Sequence, residues 1–403
     1  MARRLHPVEF VALMAMMMAT VAFSIDSMLP ALSDIAAELT PDNANNAQLV
    51  LSAFMIGMGV GTLFSGPLSD SFGRKTVILF CAAIYILGAV LAWRAPSLEL
   101  LIMARMLQGL GAAGPRVIAI AIIRDLYAGR EMAKLVSFVM MVFTIFPALA
   151  PLLGAMIVEY GNGWRSLFLV FFAFSAISSL WLATRLDEPL PVERRVPFNP
   201  KKLLIALKQM LTIPMVRLTL LVQVMVVSMM FTTISLIEPA FSVVFDRGAE
   251  FPYWFFALGA MAATSSMVNA IFVVRFGMRK IITLAVGGFL LISLITMAMY
   301  FFGPGGTPQF IVYMIWMAAL YYQIGLTLGN LNALAMEPLG HIAGLAASVM
   351  GAISTVVGAV VSTLVAQTFN GTIFPQLLAC TIFALIALPV MLRVGKLERV
   401  RDQ

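Results

Sequence analysis

Residues 98–125, LELLIMARMLQGLGAAGPRVIAIAIIRD, form an apolar segment long enough to cross a bilayer, yet two arginines, Arg105 and Arg116, lie in its interior. Arg105, Gln108 and Arg116 are spaced to share one helical face, because eleven residues make about three turns of an α-helix. An arginine at bilayer depth costs about 2.5–3.5 kcal/mol on insertion scales. The segment therefore predicts a polar pathway or binding site inside a membrane protein, with a counter-ion nearby.

The composition predicts an all-α integral membrane protein. The chain has 403 residues, of which 61% are hydrophobic and 11% are charged, and its mean hydropathy is +0.98. A soluble protein of this size needs more polar surface. Apolar runs long enough to span a bilayer recur along the whole chain. We predict twelve spans, at residues 8–30, 46–67, 75–95, 98–123, 133–158, 164–184, 213–238, 251–274, 281–302, 309–335, 342–368 and 373–392.

The distribution of Lys and Arg predicts that both termini are cytoplasmic. Of the 26 Lys and Arg residues, Arg94, Arg165 and Arg247 fall in loops on the side opposite the N-terminus. Arg105 and Arg116 lie inside a span, and all the others fall on the N-terminal side. Positively charged loops stay in the cytoplasm. The isoelectric point of 9.6 thus reflects topology, and we expect no nucleic-acid partner.

The polar segment 185–212 separates six predicted spans from six, which predicts an N-terminal half at 1–184, a cytoplasmic linker at 185–212 and a C-terminal half at 213–403. The loops FGRK, residues 72–75, and FGMRK, residues 276–280, occupy the same place in each half. Two repeated six-span halves are typical of transporters whose site lies near the bilayer midplane.

The loop GPLSDSFGRK, residues 66–75, resembles the G-x-L-a-D-r-x-G-r-k signature of the major facilitator superfamily. RMLQGLGA, residues 105–112, is similar to the R-x-x-q-G-x-g-a motif of that family. DSMLPAL (26–32), IRDLY (123–127) and NALAMEPLGHIAG (332–344) resemble the bicyclomycin and chloramphenicol resistance branch of its drug:proton antiporters. The resemblance covers essentially the whole chain and implies the twelve-helix fold of that superfamily.

The chain departs from the family pattern in two places. Ser71 stands where the loop signature usually carries a basic residue. The span-five antiporter motif retains Pro147, Pro151 and Gly154 but has Ala150 and Ala155 at glycine positions. Because the resemblance links this motif with export, its erosion leaves the direction of transport open.

Asp26 and Arg105 are the predicted proton-coupling residues. Counted at 1.5 Å per residue, both lie in the outer half of the membrane at similar depth. Burial raises the proton affinity of a carboxylate, and a nearby arginine lowers it. Asp26 is therefore predicted to bind the coupling proton and to release it when Arg105 becomes its neighbour. The alternative is a static buried ion pair.

Substrate-binding candidates lie in both halves. The interior of the N-terminal half contains two positive residues, Arg105 and Arg116, and one acid, Asp26. This net positive charge favours neutral, zwitterionic or anionic compounds over cations. The alternative is that Arg116 snorkels to the membrane surface or bonds to backbone carbonyl groups. Close helix approach is expected at Gly57, Gly59, Gly61, Gly109 and Gly111. The remaining binding candidates are Gln108, Glu238, Tyr321, Tyr322, Gln323 and Asn330.

A cytoplasmic cluster of Asp70, Arg74 and Asp125 forms a conformational latch, as the family resemblance implies. The alternative is a loop-stabilising salt bridge. No nucleotide-binding loop, activated nucleophile or His/Cys ligand set appears in the sequence, so we predict neither an enzyme nor a cofactor or metal. Cys81, Cys380, His6 and His341 are isolated.

These features together predict a monomeric transporter of a bacterial inner membrane. It exports small amphipathic compounds (the multidrug type) in exchange for protons. The alternative is proton-coupled import of an anionic nutrient or a metal chelate such as a siderophore. The substrate, the proton stoichiometry and a second proton site at Glu238 stay open at this point.

Overall fold

The computed structural model describes residues 5–401, with side chains at residues 5–132, 134–143, 145–201, 203–340 and 342–395. Within these residues it has twelve apolar helical segments long enough to cross a membrane. The predicted all-helical, twelve-span architecture is therefore confirmed for the described part of the chain.

Contacts between Cα atoms divide the chain into two units, Met1–Pro200 and Lys201–Gln403. Each unit contains six of the candidate spans. The dividing line falls within the segment predicted as a linker. The predicted assembly of the two halves and the side on which the termini lie stay predictions.

Among the residues that the structure describes, the first unit contains seven α-helices. Between α1 and α2 lies a 3₁₀ turn, Leu29–Ala31. The bounds are α1 Pro7–Asp26, α2 Leu32–Leu39, α3 Leu49–Phe72, α4 Arg74–Trp93, α5 Leu98–Leu126, α6 Gly129–Tyr160 and α7 Arg165–Arg185.

The second unit contains another seven, the first of which starts at the last residue of the first unit. The bounds are α8 Pro200–Thr212, α9 Pro214–Pro239, α10 Phe251–Phe276, α11 Met278–Phe302, α12 Thr307–Met336, α13 Ala343–Ala366 and α14 Phe374–Arg401. Here α9 packs against α12, α13 and α14, and α10 packs against α12.

The first span is longer than the predicted 8–30, because the apolar segment runs from Pro7 to Leu39. Pro30 lies in the first positions of the 3₁₀ turn, where its missing N–H breaks no hydrogen bond. The chain therefore passes through the 3₁₀ turn and continues as α2. The predicted linker also contains a helix, α8, that the sequence analysis did not anticipate.

In the first unit, α5 packs between α3 and α4, and α1 packs against α5, α6 and α7. Glycines set the distance between α3 and α5. A Cβ added to Gly57 would collide with the carbonyl oxygen of Met106, and one added to Gly109 would collide with that of Phe54. Gly111 lies equally close to the backbone of α4. The expected close approach is confirmed at these three glycines and at Gly61, where an added Cβ would collide with the carbonyl oxygen of Leu110. It buries the part of the polar face of α5 that carries Arg105 and Gln108.

Candidate functional site

Arg105 lies completely buried in the middle of the first unit. Its Nη1 donates to Oε1 of Gln108 at 2.7 Å, its Nη2 to the carbonyl oxygen of Ser24 at 2.9 Å, and its Nε to that of Val50 at 3.3 Å. The guanidinium carbon lies 4.4 Å from the ring centroid of Phe54. Three uncharged acceptors and a ring face therefore hold this cation between α1, α3 and α5.

Hydroxyl groups extend this polar cluster from α1 to α4. The Ser24 hydroxyl donates to the carbonyl oxygen of Thr20 at 2.6 Å and lies 2.5 Å from the Tyr85 hydroxyl. Because Ser24 has a single hydroxyl proton, the Tyr85 hydroxyl donates in the second bond. Ser24 thus connects Tyr85 through its side chain and Arg105 through its carbonyl group.

Asp26 is the last residue of α1 and is 6% exposed. Among the described residues its carboxyl group has no hydrogen-bond or ion-pair partner. The counter-ion pair that we expected between Asp26 and Arg105 is therefore not formed in this structure. The reason is that Arg105 bonds to the carbonyl group of Ser24, two residues earlier on the same helix.

A remnant of the span-five motif packs beside Asp26. Gly154 of α6 lies so close to α1 that an added Cβ would collide with the carbonyl oxygen of Ser27. One turn further along this interface, the rings of Phe23 and Phe146 meet edge to face, with centroids 6.4 Å apart. A movement of α6 would therefore act directly on the end of α1 that carries Asp26.

Arg116 shares the helical face of Arg105 but is exposed. Its Nη1 lies 3.9 Å from Sδ of Met58 on α3, and no carboxylate of the described residues is within ion-pair distance. The other exposed stripe of α5 carries Met103 and Met106, which lie about 140° and about 80° around the helix from Arg116. Since a lipid-facing arginine is costly, we expect Arg116 to face water or a bound compound.

The predicted residues of the second unit make separate contacts. The Tyr321 ring lies 6.1 Å from that of Phe255 on α10. Asn330 Nδ2 donates to Asn269 Oδ1 at 2.7 Å, which joins α12 to α10. Glu238 is 8% exposed near the end of α9, Tyr322 is half-buried, and Gln323 is 2% exposed. Their role in substrate binding stays a prediction.

Arg74 brings the predicted latch residues together at the start of α4. Its Nη1 lies 2.5 Å from Oδ1 of Asp70 and donates to the hydroxyl of Ser69 at 2.7 Å, while its Nε donates to Oδ2 of Asp125 at 2.8 Å. The side chain of Arg74 is buried, so the two carboxylates fix the orientation of α4 relative to the ends of α3 and α5. Their role as a latch between conformations stays a prediction.

Comparison with known proteins decides the family. The profile of the Major Facilitator Superfamily matches residues 10–366. The chain belongs to this superfamily. The superfamily that the sequence resemblance predicts is thereby confirmed, and the chain is a multi-pass membrane transporter by family.

The chain is similar to two relatives in sequence and to one solved structure in fold. The chain is 26% identical to a bicyclomycin resistance protein homolog of Haemophilus influenzae, over 91% of each chain. It is 37% identical to the multidrug resistance protein MdtL of Salmonella heidelberg, over 42% of each. The partially occluded inward-open structure of the xylose transporter XylE from E. coli has a TM-score of 0.73 at 15% identity, covering 97% of this chain and 99% of that one. This last likeness shows the fold alone.

One residue that the sequence analysis overlooked, Glu188, holds the superfamily loop in place. Its Oε1 accepts from the backbone N–H of Arg74 at 2.7 Å, and its Oε2 accepts from that of Lys75 at 3.0 Å. Helix α4 has no side-chain cap of its own, because Gly73 occupies the N-cap position at φ +100°. A carboxylate at a helix N-terminus satisfies free N–H groups and interacts well with the helix dipole. The sequence does show that the start of α4 lacks a capping side chain. It does not show that Glu188, 114 residues further along the chain, supplies the cap.

Replacing Glu188 by Gln is expected to destabilise the first unit by about 0.5–2 kcal/mol, the range for loss of a helix cap. The amide keeps one acceptor oxygen and loses the charge that both N–H groups share. Thermal unfolding of purified protein in detergent measures the effect. Glu193→Gln is the matched control, because Glu193 is exposed in the same segment. Equal unfolding temperatures for the two variants would contradict the capping role.

Within the part of the chain that the structure describes, no three His, Cys, Asp or Glu side chains are grouped so as to hold a metal ion. Cys81 and Cys380 are buried and free.

Proposed function

We propose that this major facilitator protein is a secondary active transporter that exports small amphipathic compounds in exchange for protons. It would work by alternating access between its two six-helix halves, in a bacterial inner membrane, with both termini in the cytoplasm. The two relatives are named for bicyclomycin resistance and multidrug resistance, which supports an exporter. The observation that carries the proposal is the buried carboxyl group of Asp26, which has no partner among the described residues and lies two residues along α1 from the carbonyl group that binds Arg105.

Asp26 is proposed as the proton site. Burying an ionised carboxylate without a hydrogen-bond donor or a positive partner costs free energy. The conformation described here is therefore more stable when Asp26 carries a proton. Arg105 is the cation that can stabilise the ionised form, because its Nη2 bonds to the carbonyl group of Ser24 on the same helix. If Arg105 exchanged the Ser24 carbonyl oxygen for the Asp26 carboxylate as its acceptor, the ionised form of Asp26 would be stabilised and Asp26 would release its proton to water. Hydrogen bonds to charged groups contribute about 1.5–3 kcal/mol, which is a suitable scale for a step repeated in each cycle.

Arg116 is proposed to select the charge of the substrate. It is exposed on the face of α5 that carries Arg105, with Met58 as its neighbour, so a bound compound can reach its guanidinium. Gln108 lies on the same face, but its Oε1 already accepts a hydrogen bond from Nη1 of Arg105. Neutral compounds with strong acceptor groups, zwitterions and anions are therefore favoured over lipophilic cations.

Replacing Arg116 by Gln is expected to raise KM about 10-fold or more for an anionic or acceptor-rich substrate, since a hydrogen bond to a charged group is lost. A cationic dye should be transported at least as well as before. Initial rates of transport at a series of substrate concentrations give the KM for the anionic substrate and the KM for the dye. Arg124→Gln is the control, because Arg124 is exposed at the end of the same helix. An equal KM change for the anionic substrate and the dye would rule out selection by charge.

The second candidate is proton-coupled import of an anionic nutrient or a metal chelate. Arg116 and the alanines at positions 150 and 155, where the antiporter motif has glycines, favour it. Gly154, by contrast, retains its close contact with Ser27, which favours the exporter.

Accumulation measurements in a bacterial host that lacks its major efflux pumps test the two candidates. The cells receive a neutral amphenicol, a cationic dye or an anionic ferric chelate, with and without a protonophore. The proposal expects lower accumulation of the amphenicol in cells that make the protein, and restoration of accumulation by the protonophore. Higher accumulation of the chelate, abolished by the protonophore, would support import instead.

A further inference from the structure

Helix α8, Pro200–Thr212, has a wider apolar side than the protein covers. Leu203, Ala206 and Met210 lie on one side and are 8%, 2% and 0% exposed. Leu204 and Leu211 are two helical turns apart at the edge of the same apolar side, and they are 68% and 42% exposed. The helix thus keeps a second, uncovered apolar strip beside its buried face.

Positive charge borders this uncovered strip. Lys201 and Lys208 are exposed and, seven residues apart, they follow the strip formed by Leu204 and Leu211 at an angular distance of about 60°. The sequence from 200 to 212 contains three lysines and no acid. Gln209 is exposed on the far side of the helix from the two leucines.

The position of α8 in the chain places it at the edge of the bilayer. A single residue, Ile213, separates it from α9, which begins a membrane-spanning segment at Pro214. Arg217, in the first turn of α9, is also exposed. A helix with an uncovered apolar strip and flanking lysines, directly attached to the end of a span, has the pattern of an interfacial amphipathic helix.

We propose that α8 binds the surface of the membrane through anionic phospholipids. Leu204 and Leu211 enter the boundary between headgroups and acyl chains, and Lys201 and Lys208 contact lipid phosphates. Polybasic segments next to a span are attracted to anionic lipids in this way. A second copy of this helix fits the strip poorly, because it would bring the same lysines opposite each other without an acid to compensate them.

Spin labels on the full-length protein test the proposal. Cys81 and Cys380, the two native cysteines, are replaced by Ala, and single cysteines are introduced as Leu204→Cys, Leu211→Cys or Gln209→Cys. The protein is reconstituted in phosphatidylcholine alone or mixed with phosphatidylglycerol. Relaxation by oxygen, which concentrates in the acyl region, is compared with relaxation by a water-soluble nickel complex.

The expected result is that labels at 204 and 211 respond to oxygen and the label at 209 responds to nickel. Phosphatidylglycerol should increase the oxygen response at 204 and 211. The double variant Lys201→Gln/Lys208→Gln, which removes both exposed lysines, should lose that increase. Nickel access at 204 and 211 equal to that at 209 in both lipid compositions would overturn the proposal. Shielding of 204 and 211 from both reagents would overturn it as well, because a protein surface would then cover the strip.

Discussion

Replacement of Asp26 by Asn is expected to abolish transport driven by a pH gradient while the protein remains folded. The two side chains have nearly the same shape, and the carboxyl group has no partner among the described residues that the change would remove. The amide cannot take up and release a proton, so the coupling step is lost. In proteoliposomes, accumulation against a substrate gradient should fall to the level of empty vesicles.

Counterflow distinguishes loss of coupling from loss of structure. Exchange of labelled for unlabelled substrate needs alternating access but no net proton movement, so the Asp26→Asn variant should retain it. Asp34→Asn is the control, because Asp34 is exposed on α2 of the same apolar segment. If pH-driven accumulation persists in Asp26→Asn, the proton is carried elsewhere, and Glu238 becomes the next residue to test.

Replacement of Gly109 by Ala is expected to cause a large loss of stability of the first unit. The added Cβ would collide with the carbonyl oxygen of Phe54 and lie 3.0 Å from the backbone N of Met58. Both neighbours are main-chain atoms of α3, so no side-chain rotation relieves the contact and the helices must separate. Overpacking costs typically about 1–3 kcal/mol, occasionally more. The same separation would displace Val50, whose carbonyl group holds Arg105.

Thermal unfolding in detergent measures the effect of Gly109→Ala, with transport rate as a second readout. Gly288→Ala is the matched control, since Gly288 lies in the middle of α11 with no atom within 4 Å of an added Cβ. The control should unfold at the wild-type temperature. An unchanged unfolding temperature for Gly109→Ala would mean that α3 and α5 are not packed as tightly as described.

Much of the fold could be predicted because the bilayer imposes simple rules. A run of about 20 apolar residues must be a spanning helix, so the twelve spans followed from hydropathy. Two local features escaped this reasoning. Pro30 looks like a helix end but lies in a 3₁₀ turn that leads into α2. Helix α8 is too short and too polar for the spanning rule, although the spacing of its apolar residues is that of an amphipathic helix.

The candidate site was predicted in its residues but not in its bonds. The spacing of Arg105, Gln108 and Arg116 placed them on one face, because helix geometry is periodic. The acceptors of Arg105 are mostly backbone carbonyl groups, which every residue carries and no sequence pattern marks. Asp26 was therefore assigned as the direct partner of Arg105, whereas the structure places the bond at Ser24. Glu188 was missed for a related reason, because it binds backbone N–H groups.

The most direct test of proton-for-substrate exchange uses wild-type protein in acid-loaded liposomes that contain a pH-sensitive dye. A transported compound, such as the neutral amphenicol, is added outside. We predict that protons leave as the compound enters, so that the lumen becomes more alkaline, and that Asp26→Asn shows no such response. Acidification of the lumen on substrate addition would contradict antiport, because protons would then move in the same direction as the substrate.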